Sequence, residues 1–122
     1  MARILLIEDE KSIADIMTML LGFGQHEVLL AIDGEAGLTM ARRDSPDLIL
    51  LDIMLPKLDG IALNRELLQD EKTRRIPVIV ITTQSARDNT LQSAENVKVY
   101  LQKPFDMMIL LDTIREVLHS AT

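Results

Sequence analysis

The chain has 122 residues, 48% of them hydrophobic, and a net charge of −6. It is long enough to close one substantial core and too apolar for disorder, while its acidic balance argues against direct nucleic-acid binding: Arg42-Arg43 and Arg74-Arg75 are isolated basic pairs, not a cluster. The absence of cysteine excludes a disulfide scaffold and a thiolate metal site, and no apolar stretch approaches the ~20 residues of a membrane helix. The start Met1-Ala2-Arg3 has no signal-peptide layout, so the expectation is one cytoplasmic domain spanning residues 1–122, its core built from aliphatic residues because aromatics make up only 2%.

Arg3-Ile4-Leu5-Leu6-Ile7 is a continuous apolar run followed at once by Glu8-Asp9-Glu10, the pattern of a fully buried parallel strand opening into a polar loop. Ile13, Ile16, Met17, Leu20 and Leu21 recur at helical spacing and predict one inward face, with Gly22 and Gly24 as stops. His26 to Ala31 predicts a second strand. Residues 35–43 predict a weaker helix turning Leu38 and Ala41 inward, its stability lowered by Gly34 and Gly37. Pro46-Asp47 introduces Leu48-Ile49-Leu50-Leu51, a third strand that ends on Asp52. After Gly60 a third helix runs to about Asp70 and buries Leu63, Leu67 and Leu68. Ile76-Pro77 opens Val78-Ile79-Val80-Ile81, a fourth strand ending on Thr82. Residues 86–95 read as a fourth helix with a thin apolar face, and Val97 to Leu101 as a fifth strand. Leu110, Ile114, Val117 and Leu118 form the inward stripe of a fifth helix with Asp106 as its N-cap. Strands alternating with helices in this way imply a parallel sheet covered on both faces and joined by right-handed crossovers.

In such sheets ligands bind beyond the carboxyl ends of the strands. Four segments deliver polar groups there: Glu8 and Asp9, then Asp52, then Thr82 and Thr83, then Lys103. Carboxylates brought together repel unless some are protonated or a cation sits among them. Hard oxygen ligands favour Mg²⁺ or Mn²⁺ over softer metals. A carboxylate faced by a metal, a hydroxyl and an ammonium has the parts for phosphoryl transfer. Singly, each residue has an ordinary reading: an acid at a strand end is commonly solvated or a cap, Thr82 a strand residue, Lys103 a surface charge. The information lies in their joint placement.

Five stretches carry a resemblance that covers the whole chain. They are Ile4 through Glu10, Pro46 through Asp52, Met54-Leu55-Pro56 through Asp59-Gly60, Ile76 through Thr82, and Tyr100-Leu101-Gln102-Lys103-Pro104-Phe105. Together they resemble the receiver domain of two-component response regulators. The resemblance implies a flavodoxin-like fold: five parallel strands in the order 2-1-3-4-5 with five helices. It implies that Asp52 accepts a phosphoryl group from a histidine kinase or a histidine phosphotransfer protein. It implies that Asp9 and Asp52 ligate Mg²⁺ with the Met54 backbone carbonyl, Glu8 acting directly or through water. Thr82 and Lys103 would contact phosphoryl oxygens, Tyr100 would be a rotating switch, and the surface of the fourth helix, fifth strand and fifth helix would be read by a partner. Such a domain assists its own phosphorylation without being an enzyme in the usual sense.

The sequence also departs from that family. Asn96-Val97 stands where many relatives have Gly-Ala, and Asn suits a left-handed helix end. Thr83 replaces a usual Ala or Gly and is expected to narrow access to Asp52; Gln84 beyond it is a candidate modulator of phosphoryl lifetime. Asp112 stands where relatives that dimerise to activate DNA-binding domains often carry Arg, which favours output through protein contact over a missing effector domain. A haloacid-dehalogenase-type phosphatase would need an Asp-x-Asp after the first strand and a cap insertion. A flavin-binding module would need a Ser/Thr/Gly-rich phosphate loop and flanking aromatics. None of these is present in the sequence.

Overall fold

The computed structural model describes residues 2–52, 60–82, 94–102 and 106–120, the side chains of Thr82 and Gln102 excepted. Its elements run β1 (Arg3–Ile7), α1 (Lys11–Phe23), β2 (Glu27–Ala31), α2 (Gly34–Asp44), β3 (Leu48–Asp52), α3 (Gly60–Gln69), β4 (Val78–Thr82), β5 (Val97–Gln102) and α4 (Met107–Ser120). The strands form one parallel sheet in the order β2-β1-β3-β4-β5. Among the described residues there are four helices, not the expected five. Most of the expected helix over 86–95 falls on 83–93, outside the described residues; α4 is the helix counted fifth in the sequence. Ala94 to Asn96 are not helical but form a turn, in which Val97 N donates to Ala94 O at 3.2 Å.

The apolar runs of β1 and β3 sort onto the two faces of the sheet by strict alternation. Ile4, Leu6, Leu48 and Leu50 join Ile79, Ile81 and the inward sides of α1 and α4 in one core layer. Leu5, Ile7, Ile49 and Leu51 join Val78, Val80, Leu63 and Leu67 in the other, under α2 and α3. Each large aliphatic side chain so buried contributes roughly 1.5–3 kcal/mol. The two layers explain why the central strands are continuously apolar. Among the described residues no helix is long and apolar enough to cross a membrane.

Several local expectations change. Ile16 is 51% exposed, not inward. It lies one residue, a turn of about 100°, from Met17, and falls off the arc that α1 lays on the sheet. Leu38 and Leu68 are only half-buried. β2 starts at Glu27, because His26 belongs to the turn before it. Gly24 caps α1 at φ −81°, and the left-handed residue is Gln25 at φ 64°. The need for Gly24 is steric: a Cβ there would lie 2.9 Å from His26 Cδ2. Gly37 weakens α2 intrinsically, but a Cβ at that position would lie 2.7 Å from Ile7 Cδ1, so its bareness lets α2 approach β1. Asp106 caps α4 as expected, accepting from Met108 N at 2.7 Å. Asp33 caps α2, accepting from Ala36 N at 2.8 Å.

Candidate functional site

β1, β3 and β4 are the three central strands, and all three end at the same rim. Ile7 pairs with Leu51, so Glu8 and Asp52 leave the sheet at the same level. The chain passes from β1 to β2 on one side and then crosses to β3 on the other, which opens the crevice between the ends of β1 and β3.

Glu8, Asp9 and Asp52 meet in that crevice, each offering a carboxylate oxygen within 4.8 Å of the others. Glu8 is 2% exposed and Asp52 8%, whereas Asp9 opens to solvent. Glu8 is held from both ends: its N–H donates to Ala31 O at 3.0 Å, and its Oε2 accepts from Glu10 N at 3.2 Å. Two ionised carboxylates at ~4 Å repel by about 4 kcal/mol at an effective dielectric near 20. Gathering three is therefore costly without a cation, and an all-oxygen set with one face to solvent suits Mg²⁺ with part of its water shell retained. The donor set fits the ion.

The remaining predicted residues divide into two groups. Thr82 ends β4 and pairs with Gln102 of β5, which brings the chain just before Lys103 level with the rim. Tyr100 pairs with Val80 and packs, half-buried, against the α2–α3 core layer. Met54, Thr83, Gln84, Lys103 and the Thr82 side chain lie outside the described residues.

Asn96 differs from the expectation. It is not among the left-handed residues; it is 3% exposed and makes a reciprocal amide pair with Asn64 of α3, at 3.1 Å and 2.7 Å. Pairing stabilises a buried amide, and no left-handed turn is needed. Asn64 carried no signal in the sequence beyond a polar residue beside Leu63 on the inward arc of a helix.

Fold and crevice together define a doubly wound, flavodoxin-like α/β domain with an acidic cluster at its switch point that could hold a metal ion. The chain belongs to the response regulator receiver domain family, which it matches over residues 4–115. It is 39% identical over 119 residues to Protein PilH of Pseudomonas aeruginosa, covering 97% of this chain and 98% of that one. It is 38% identical to the DNA-binding dual master transcriptional regulator RpaA of Synechocystis, covering 97% of this chain but only 49% of the relative. The chain thus spans about half of RpaA and nearly all of PilH. Among solved structures, the receiver domain of the Pseudomonas aeruginosa sensor histidine kinase PA1611, described with a magnesium ion coordinated in its active-site cleft, superposes with a TM-score of 0.88 at 34% identity, over 97% of this chain and 98% of that one. A CheY-like receiver from Methanospirillum hungatei gives a TM-score of 0.89 at 27% identity, over 98% and 94%. Receiver domains are the regulatory phosphoacceptors of two-component signal transduction, and aspartyl phosphorylation is their general function.

Proposed function

We propose that Asp52 is the phosphoacceptor and that Glu8, Asp9 and Asp52, with the Met54 carbonyl, hold Mg²⁺ beside it. The carrying observation is the convergence of three carboxylates, two of them buried, at the ends of adjacent central strands. When bound, the ion supplies positive charge for the phosphoryl oxygens. An Asp52 carboxylate oxygen attacks phosphorus, a P–O bond forms, and the P–N bond to the donor imidazole breaks. Glu8, fixed by its two backbone contacts, keeps the crevice in shape. Lys103 and Thr82 contact the phosphoryl oxygens.

The donor is a histidine kinase or histidine phosphotransfer protein. The added phosphate carries about −1.5 to −2 charge and draws Thr82 toward it. Tyr100 then turns further inward, and a surface that includes β5 and α4 is read by a downstream protein partner. In this reading the chain is one cytoplasmic receiver domain.

Intact-mass measurement with a small phosphodonor tests the core claim. One phosphoryl should be gained with Mg²⁺, none with chelator, and none in Asp52→Asn. Labelling that persists in Asp52→Asn overturns the assignment.

A further inference from the structure

The opposite end of the sheet carries a cleft of about 460 Å³ between β5 and the last turns of α4. Its floor is Pro77, Val99 and Val117; its rim is Arg75, Lys98 and Glu116. Among the described residues no carboxylate pairs with Arg75 or Lys98, and the Lys98 ammonium donates only to the Glu95 carbonyl, at 2.9 Å. Two cations thus stand over an apolar floor against one carboxylate, in a chain whose net charge is −6.

The way Lys98 reaches this cleft is unusual. Lys98 and Val99 are sequence neighbours yet both line it, whereas successive residues of a regular strand point to opposite faces. The ladder shows how. Val97 pairs with Val78 but Val99 with Ile79, so Lys98 is an extra, bulged residue. Sliding the base of β5 down by one residue would remove the bulge, and would turn Lys98 toward the α2–α3 face, away from α4. The buried Asn64–Asn96 pair opposes that slide, as does the bond from Val78 N to Asn96 O at 2.7 Å. Both would break if Asn96 moved by one residue.

We propose that this cleft is a docking site for an acidic segment of a partner protein, with carboxylates on Arg75 and Lys98 and an apolar side chain on the Val99–Val117 floor. The Asn64–Asn96 pair acts through Lys98 as a positioning pair. That the partner is a downstream signalling protein rests on the reading above; the preference of the cleft for an acidic peptide does not.

The test is an NMR titration of the full chain with a capped hexapeptide alternating Asp and Leu. Peptides with Asn or Lys in place of Asp, and inorganic phosphate, serve as comparisons. The Asp peptide should shift the amides of Arg75, Lys98 and Val99 saturably, and bind at least ~10-fold more weakly to Arg75→Ala/Lys98→Ala. Asn64→Ala, which lies outside the cleft, should also weaken binding and should replace the Val78–Val97 cross-strand contact with Val78–Lys98. Asp52→Asn should bind the peptide normally, which separates this site from the phosphoacceptor. Equal binding by the Asp and Asn peptides, binding of phosphate alone, no cleft shifts, or an intact Val78–Val97 contact in folded Asn64→Ala each overturns the proposal. So does unfolding of Asn64→Ala together with full peptide binding by Arg75→Ala/Lys98→Ala.

Discussion

The two ends of the sheet solve opposite problems. At the rim where β1 and β3 end, three carboxylates lie within 4.8 Å of one another, an arrangement that could hold a metal ion. At the base, Asn64 pairs with Asn96, and Thr73 Oγ1 donates to Leu67 O at 2.7 Å. Asp47 Oδ2 accepts from the Arg3 backbone N–H there at 2.8 Å, and Arg3 Nε pairs with Glu27 Oε2 at 3.3 Å. The contrast separates function from stability. Like charges kept together suit a bound cation, and the cost of gathering them is carried by the core and by pairs such as Asn64–Asn96.

Four measurements sharpen or break this contrast. The largest effect belongs to the rim. Mg²⁺ at about 100 times its Kd should raise stability by about 2.7 kcal/mol. Melts with MgCl₂ and with chelator should show that rise in the unaltered chain and a much smaller one in Asp9→Asn; equal rises would mean that the carboxylates do not hold the ion. At the base, Asn96→Ala leaves the Asn64 amide buried without its partner and should cost about 1–3 kcal/mol in urea unfolding. Its Mg²⁺ response should be unchanged, and a lost response would show that the two ends are not independent. Gly37→Ala forces a methyl against Ile7 between them and should cost about 1–3 kcal/mol, where an exposed helical site would gain from the same change.

The smallest effect is at His26, in the turn beneath α1. Its pKa is lowered from 6.5, first by burial and then by the positive chain terminus and Arg115, and its Nδ1 is buried with no hydrogen-bond partner among the described residues. The unfolded chain therefore takes up the proton first. His26 leaves stability unchanged well above pH 6.5 and lowers it as pH falls from 6.5 toward the depressed folded value. Melts across that window should show a shallower decline in His26→Gln. An unchanged slope would assign the decline to other groups.

Sequence alone determined the parallel α/β layout, because continuous apolar runs ending in acids read as buried central strands. It also brought Glu8, Asp9 and Asp52 to one rim, because each directly follows or ends such a run, and strand ends share an edge in a parallel sheet. What it left open depends on contacts between distant segments. Ile16 looked inward by spacing, but the arc that α1 buries runs through Ala14, Met17, Leu20 and Leu21 and leaves it outside. Gly37 looked like a weak point until Ile7 was seen beneath it. Asn96 looked like a helix end until Asn64, 32 residues earlier, supplied its partner. The extra residue at Lys98 was invisible, because Val97, Val99 and Leu101 alternate as a regular strand does. Periodicity reports which side of an element is apolar. Only the tertiary structure decides which distant group each side meets, and so where a buried amide finds its partner and where a strand must bulge.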